Sequence, residues 1–139
     1  RKAAEHEISV ELADDLLMAK MDVRLIVQVI INIVNNAIKY TPEGSHICLS
    51  AKKEKKMVRI RIADDGPGIS DEAKLHLFDM FYTADIGKAD SRRGLGLGLS
   101  LCKSIVDAHG GEISVSDNKP HGAVFSFTLP LEEVNFDHV

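Results

Sequence analysis

Residues 22–40 read DVRLIVQVIINIVNNAIKY, and this run carries helix signals at both ends. Asp22 stands where an N-cap residue would, because its carboxylate can accept hydrogen bonds from the free N–H groups of a first turn. Thr41 and Pro42 follow the run, and the residue before a proline disfavours the helical conformation. The sequence therefore predicts a helix over 23–40, and its abundance of aliphatic side chains predicts that most of its surface is buried.

Four polar side chains of this helix recur at spacings of four, four and three residues and so share one side of it. They are Gln28, Asn32, Asn36 and Lys39. Asparagine disfavours a helix by roughly 0.6 kcal/mol relative to alanine, so some other interaction must offset that cost. One interpretation is a solvated face, although such faces more often carry Glu and Lys. The other is that the amide oxygens face a hard cation such as Mg²⁺, while Lys39 supplies positive charge to a phosphate.

Alternating apolar residues predict five strands on either side of this helix. They cover 7–12, 46–51, 58–63, 112–116 and 123–129. In the first strand Ile8, Val10 and Leu12 are expected to form a buried face. The second and third strands flank the charged turn 52–56 and predict a hairpin.

Two further helices are expected. Ser70 and the acidic residues after it predict a short helix through about Phe78. Apolar residues at helical spacing predict another over 97–108, with Gly110 as its stop signal. Between these helices residues 83–93 show no periodicity and predict a loop. Hairpins interspersed with helices predict an α+β fold: a two-layer sandwich of one mixed sheet, covered on one face by about three helices.

Length and composition exclude several classes of protein. The chain has 139 residues, the size of one domain, and we expect a core over about 8–130 with a loose tail over 131–139. Its formal net charge of -4 disfavours nucleic acid as a partner. The longest apolar stretch is interrupted and is about half of the roughly 20 residues that a membrane span needs. Two distant cysteines indicate neither a zinc site nor a disulfide framework, and the absence of an initial Met suggests a piece of a longer protein.

The third predicted strand leads into residues 64–68, which read DDGPG. Strand parity places Asp64 on the same side as Ile60 and Ile62, the face that the helices are expected to cover. An unpaired carboxylate there would cost roughly several kcal/mol, so Asp64 needs a strong donor within the protein or on a ligand. The glycines alone indicate only an ordinary turn.

A second glycine cluster, GLGLG at 94–98, opens the last predicted helix. Free N–H groups and the dipole at a helix N-terminus favour anions, so phosphate is the natural ligand. Two common phosphate loops do not fit. A Rossmann fingerprint requires a glycine three residues after Gly96, but that position is Leu99. A P-loop requires Ser or Thr after Gly-Lys, but Gly87 and Lys88 are followed by Ala89.

Taken in order, these segments resemble the catalytic ATP-binding domain of sensor histidine kinases, a superfamily shared with gyrase, Hsp90 and MutL ATPases. Residues 32–40 resemble its N box, 64–68 its G1 box, 78–81 (FDMF) its F box and 94–98 its G2 box. The resemblance runs from about Ile8 to Pro130, and four boxes in order are highly specific. It implies the Bergerat ATP-binding fold, with ATP and Mg²⁺ as cofactors. Over 105–129 the chain is most similar to potassium- or turgor-responsive sensor kinases.

The resemblance also implies roles for single residues. Asn36 would bind the Mg²⁺ that bridges the ATP phosphates, supported by Asn32, and Lys39 would contact phosphate. Tyr40 would lie against adenine or ribose, and Asp64 would accept the adenine amino hydrogen. Residues implied to border the base are Gly66, Gly68 and Ile69.

A lid over 83–93 is implied to close on the nucleotide. Residues implied to hinge it and cradle the phosphates are Gly94, Leu95, Gly96, Leu97, Gly98 and Leu99. Phe78 and Phe81 would either anchor the lid or simply pack in the core. Arg92 and Arg93 would either touch phosphate or form a solvated pair.

Two positions depart from the family pattern. Thr83 occupies a place where the family often has a basic residue. Asn32 lies one turn before Asn36, where hydrolysing relatives are known for a Glu that activates water. An amide is no useful general base near neutral pH, so efficient hydrolysis is not expected.

The resemblance therefore implies a domain that presents the ATP γ-phosphate to a histidine on a separate dimerisation domain, which passes it to a response regulator. The expected parent is a membrane-bound sensor, with this segment cytoplasmic, monomeric in isolation and without direct membrane contact. Three alternatives stay open: an ATPase of the same superfamily, a serine kinase of the anti-sigma type, and a degenerate module that only docks partners. His109 is expected to be structural, as a cation at the negative end of a helix.

Overall fold

The computed structural model describes residues 6–12, 19, 21–80, 82 and 98–131. Its elements follow in the order β1 (Glu7–Leu12), α1 (Val23–Tyr40), β2 (His46–Glu54), β3 (Met57–Asp64), α2 (Asp71–His76), α3 (Gly98–Ala108), β4 (Ile113–Asp117) and β5 (Ala123–Pro130). All five predicted strands and all three predicted helices are present. The hairpin turn is shorter than expected, because β2 and β3 extend through most of the lysine-rich segment and leave only Lys55 and Lys56 to turn the chain.

The five strands form one mixed sheet in the order β1-β2-β3-β5-β4. β1 runs parallel to β2, and the other neighbours are antiparallel. The register pairs Ile47 with Asp64 and Ile62 with Phe125, so these side chains share one face. On that face the sheet packs against α1 and α3 to form the core. The predicted α+β two-layer architecture is confirmed.

The predicted burial of β1 is wrong for its two described apolar side chains. Ile8 is 43% exposed and Val10 is 66% exposed, although their register partners in β2 lie in or against the core. Among the strands that the structure describes, β1 lies at the edge of the sheet and pairs with β2 alone. Alternation correctly predicts which face the residues share, but it carries no information about where the helical cover ends. The side chain of Leu12 lies outside the part of the chain that the structure describes.

Both predicted ends of α1 are confirmed. The Asp22 carboxylate accepts hydrogen bonds from the Arg24 N–H at 3.1 Å and the Leu25 N–H at 3.4 Å. Thr41 leaves the helix in an extended conformation. The expected burial around the whole helix is wrong: one face packs in the core, whereas Val23, Val27 and Ile31 are exposed. α1 is therefore amphipathic in its packing, with more apolar surface than the core covers.

His109 fastens α3 to the start of α1, but it does so as a neutral ring. Its Nδ1 lies 2.7 Å from the Ile105 carbonyl oxygen, which can only accept, while its Nε2 accepts the Asp22 N–H at 3.0 Å. A protonated imidazole has no acceptor. The structural role expected for His109 stands, but the expected cation does not. Gly110 follows with a φ of 81°, the left-handed conformation that ends a helix.

Lys74 anchors the short helix α2 to the sheet. Its Nζ lies 2.6 Å from Asp117 Oδ1 and 3.0 Å from Asp71 Oδ1. The hydrogen bond to Asp117 is the main reason that the pKa of Lys74 lies above its ordinary value. Within the described segments, none of the helices combines the length and the apolar character that crossing a membrane requires.

Candidate functional site

A cavity of about 300 Å³ opens at the end of β3, between the C-terminal half of α1 and the helix α2. Its polar lining includes Asn36, Thr41, Asp64 and Ser70, and its apolar lining includes Phe125 from β5. This volume lies at the lower end of the range for small-molecule sites, and a mostly apolar wall with few polar groups is typical of them. We call it the base pocket, after the adenine-binding role that the resemblance implies for Asp64.

Asp64 is the buried charge of the base pocket. Its side chain belongs to the helix-covered face, as predicted, and the residue is only 5% exposed. Oδ1 accepts the N–H of Gly66 at 3.0 Å and the N–H of Ala123 at 3.2 Å. Oδ2 takes part in neither bond. Both partners are neutral backbone groups, so they hold the carboxylate in place without neutralising its charge.

The turn between β4 and β5 holds the backbone next to this carboxylate. Asn118 Nδ2 donates to the Asp64 carbonyl oxygen at 2.7 Å, and His121 Nδ1 lies 3.1 Å from the Gly66 carbonyl oxygen. Gly122 lies so close that a Cβ on it would be 1.9 Å from the same Asp64 oxygen. The turn therefore fixes the backbone on both sides of the Asp64 side chain.

The Asn118→Ala substitution is expected to lower the free energy of unfolding by about 1–2 kcal/mol, because the part-buried Asp64 carbonyl loses its side-chain donor. Thermal unfolding should show a melting temperature lower by about 3–6 °C. Asn35→Ala is the matched control, since Asn35 is exposed on α1 and alanine is the better helix former. Equal melting temperatures for Asn118→Ala and the wild type would contradict this supporting role.

The polar stripe on α1 does not lie in one cavity. Asn36 lines the base pocket, whereas Gln28 and Asn32 line a neighbouring groove of about 460 Å³. Gly98, Ser100 and Ser104 from α3 border the same groove. The two asparagines are half-buried. The stripe is therefore neither wholly solvated nor wholly buried, and its residues line two different cavities.

Lys39 and Tyr40 lie at the end of this stripe. Both are exposed, and Lys39 Nζ lies 5.1 Å from the centre of the Tyr40 ring. Tyr40 lines the base pocket.

Both glycines of the DDGPG segment are needed for close packing. A Cβ on Gly66 would lie 2.5 Å from Thr41 Cγ2, so no side chain fits there without displacing Thr41. Gly68 has a φ of 85°, a conformation that L residues rarely adopt. Gly68 and Ile69 both line the base pocket.

Three other predicted residues lie beside the cavities. The Phe78 ring packs edge-on against Phe125, with 6.3 Å between ring centroids, and so stands behind the base pocket. Leu99 is buried in the core, while Gly98 begins α3 at the groove. The remaining predicted residues lie outside the described part of the chain, as does the predicted lid. They are Phe81, Arg92, Arg93, Gly94, Leu95, Gly96 and Leu97.

Several lining residues were missed by sequence reasoning. Thr41 and Ser70 had been interpreted only as helix-end signals, and Ala123 and Phe125 only as part of a strand. The parity of β5 does place Phe125 on the apolar face, but no local signal brings it beside Asp64. Its position follows from the sheet order, which pairs β5 with β3.

The fold is a mixed sheet covered by helices on one face, with a pocket at the end of β3, and sequence comparison identifies the family to which this class of domain belongs. Residues 21–133 match the family described as histidine kinase-, DNA gyrase B-, and HSP90-like ATPase. The chain belongs to this family, as the resemblance of its boxes had predicted.

The relatives are sensor kinases. The chain is 46% identical over 127 residues to the sensor protein KdpD of Clostridium acetobutylicum, which covers 91% of the chain and 14% of that protein. It is 38% identical to the sensor histidine kinase WalK of Bacillus subtilis, over 91% of the chain and 21% of that protein. The chain thus spans a minor part of the length of these relatives. The KdpD match confirms the predicted similarity to sensor kinases of the KdpD type.

Solved structures of histidine kinases share the fold of this chain. The nucleotide-free catalytic domain of histidine kinase ThkA superposes with a TM-score of 0.79 at 34% identity, covering 93% of this chain and 82% of that one. Full-length ShkA in complex with AMPPNP gives a TM-score of 0.81 at 29% identity, covering 96% and 27%. The chain is thus a catalytic ATP-binding domain of the histidine kinase type.

Proposed function

We propose that this domain binds Mg²⁺-ATP and presents the γ-phosphate to a histidine on a separate dimerisation domain, from which a response regulator receives it. The observation that carries the proposal is Asp64: a buried carboxylate, positioned by two backbone N–H groups, on the wall of a mostly apolar pocket. Such a site suits a flat base with one exocyclic amine. Full-length ShkA, which shares this fold, is described in complex with an ATP analogue.

The base would lie in the base pocket with its amino group toward Asp64. Ile69 and Phe125 supply apolar surface for the ring faces, and Tyr40 stands at the exposed side, where the ribose would lie. Gly66 and Gly68 allow the backbone to approach the base closely. An adenine fits this donor requirement better than a guanine, whose six-position carries a carbonyl oxygen that a carboxylate repels.

The phosphates would extend from the base pocket toward the neighbouring groove. Asn36 and Asn32 lie four residues apart on α1, about one helical turn, and line the two cavities in succession. Ser100, Ser104 and the N-terminal end of α3 at Gly98 add polar groups along that path. Lys39 is proposed to contact phosphate.

The donors present suit a magnesium ion carried by the nucleotide. The described residues contain no cluster of three or more His, Cys, Asp or Glu side chains that could hold a metal ion. Asn36 and Asn32 offer neutral amide oxygens, so the negative charge around Mg²⁺ would come from phosphate, a common arrangement for this ion. When bound, Mg²⁺ neutralises phosphate charge, while Asn36 and Asn32 fix where that charge lies.

Catalysis by this domain would be positioning rather than activation of a nucleophile. The groove contains the amides Gln28 and Asn32, and neither can accept a proton near neutral pH. Attack by water is therefore not promoted from α1, and the attacking histidine belongs to another domain. The ThkA structure solved with the response regulator TrrA supports a response regulator as the downstream partner. A membrane-bound parent with this domain in the cytoplasm, monomeric when isolated, completes the proposal.

Three measurements test the proposal. The isolated domain should bind ATP in calorimetric titration yet release phosphate no faster than a buffer blank, and it should phosphorylate a histidine only when a dimerisation domain is supplied. Rapid phosphate release would favour the ATPase alternative, and transfer to a protein serine would favour the anti-sigma type.

The Asn36→Ala variant is expected to bind ATP roughly tenfold more weakly in the presence of Mg²⁺, because one metal ligand is lost. Without Mg²⁺ its affinity should stay close to that of the wild type. Asn35→Ala, one residue earlier and exposed, serves as the control. An equal loss with and without Mg²⁺ would show that Asn36 acts on the nucleotide and not on the metal.

A further inference from the structure

We infer that His6 is a positioning residue of the base pocket, acting through the hydroxyl of Thr41, and that it makes nucleotide affinity depend on how the start of β1 is docked. The inference rests on the proposed function, because it assigns a further residue to that same nucleotide site. Neither His6 nor Thr41 belongs to the four boxes that predicted the site.

The proton arrangement at Thr41 is determined by its two partners. Thr41 Oγ1 lies 2.7 Å from the Ala37 carbonyl oxygen and 2.9 Å from His6 Nε2. A carbonyl oxygen can only accept, so the single hydroxyl proton points to Ala37. His6 must then donate from Nε2 to the lone pair of Thr41. Because a protonated imidazole also donates from Nε2, this bond persists in both charge states of His6.

Thr41 links these bonds to the nucleotide. It lines the base pocket together with Asp64, and its Cγ2 occupies the space that a side chain on Gly66 would need. Gly66 in turn donates its N–H to Asp64 Oδ1. The hydroxyl of Thr41 is therefore held by Ala37 and His6. Its methyl group packs against Gly66, the glycine whose N–H orients Asp64.

The start of β1 has a second connection, to the chain segment that follows Thr41. The Glu7 N–H donates to the Ser45 carbonyl oxygen at 3.1 Å. The next residue, His46, donates its N–H to Asp65 Oδ1 at 2.7 Å, directly beside Asp64. Residues 6 and 7 thus contact the segment 41–46, whose first residue lines the pocket and whose last residue is bonded to Asp65.

β1 is well suited to transmit a change because it is weakly held. Within the described segments it is an edge strand with a single neighbouring strand, and Ile8 and Val10 are exposed. Edge elements with few buried apolar contacts open at low free-energy cost. A displacement of the chain at residue 6 would therefore break the His6–Thr41 hydrogen bond before it disturbed the core.

A double-mutant cycle on ATP affinity tests the inference, using the wild type, His6→Ala, Thr41→Val and the double variant in calorimetric titrations. We expect His6→Ala to weaken ATP binding about three- to tenfold. The Thr41→Val loss should be at least as large, and the double variant should bind like Thr41→Val alone, because both changes remove the same bond. His6→Gln should retain most of the affinity, since its amide N–H can replace Nε2.

Ser9→Ala is the matched control. Ser9 Oγ lies 2.7 Å from His46 Nε2, so it bonds β1 to a side chain of β2 on the face opposite the base pocket. Its loss leaves the His6–Thr41 bond, the Glu7–Ser45 bond and the backbone bond from His46 to Asp65 in place. Its ATP affinity should equal that of the wild type. Losses of His6→Ala and Thr41→Val that add, or an unchanged affinity of His6→Ala while the wild type binds ATP, would overturn the inference. A wild-type domain that fails to bind ATP would overturn the proposed function itself.

Discussion

The Asp64→Asn variant is expected to bind ATP about a hundredfold more weakly than the wild type. The change removes a charged acceptor, which is worth about 1.5–3 kcal/mol in a hydrogen bond. It also places an amide N–H₂ where the amino group of adenine must donate. Asparagine keeps an oxygen that can accept from the Gly66 and Ala123 N–H groups, so the fold around the pocket should remain. Calorimetric titration gives the affinity, and thermal unfolding tests that the fold is intact.

Asp65→Asn is the control for charge. Asp65 is the exposed neighbour, its Oδ1 accepts the His46 N–H, and an asparagine oxygen can do the same. Both variants change the net charge equally, so a long-range electrostatic effect on a triphosphate would appear in both. An Asp64→Asn affinity within threefold of the wild type would remove Asp64 from base recognition. Asp65→Asn should keep the wild-type affinity.

The Gly122→Ala substitution is expected to give the largest loss of stability. A Cβ at Gly122 would lie 1.9 Å from the Asp64 carbonyl oxygen and 2.8 Å from its carbon, both rigid backbone atoms. The φ of 116° adds strain for any L residue. To relieve the clash, the β4–β5 turn must separate from the end of β3, which breaks the Asn118 bond to the same oxygen. We expect a loss of about 3–5 kcal/mol and a melting temperature lower by about 10 °C or more.

Gly44→Ala separates the two causes. Gly44 also has a positive φ, of 85°, but no atom lies within 4 Å of a Cβ built on it. It should therefore suffer the backbone strain alone, about 1 kcal/mol. Gly122→Ala should in addition lose ATP affinity, since the clash acts on Asp64, the residue that we propose to bind the base. Equal melting temperatures for the two variants would show that the close approach at Asp64 carries no energetic weight.

The ends of α1 and the direction of the Asp64 side chain could be predicted from neighbouring residues in the sequence. Asp22 and the Thr41-Pro42 pair marked both ends of α1, because capping and proline sterics act within a few residues. Strand parity placed Asp64 on the covered face for a similar reason: side chains alternate along any strand. The order of the glycine and asparagine boxes was enough to predict the family, which sequence comparison confirmed.

Several features of the site could not be read in this way. Asp64 Oδ1 is bonded to Ala123, 59 residues away, and Thr41 Oγ1 to His6, 35 residues away. No pattern within a window of neighbouring residues reports such a pairing. The same holds for Phe125, whose place in the base pocket follows from the position of β5 next to β3.

The sequence by itself determined the elements, both ends of α1, the inward direction of Asp64 and the family. Only the tertiary structure decided that Ile8 and Val10 are exposed at a sheet edge, and that His109 is neutral because it accepts the Asp22 N–H, 87 residues away. The physical reason is the range of the interactions. Capping, turn formation and alternation depend on neighbours along the chain, whereas sheet order, hydrogen-bond partners and protonation depend on residues that folding alone brings together.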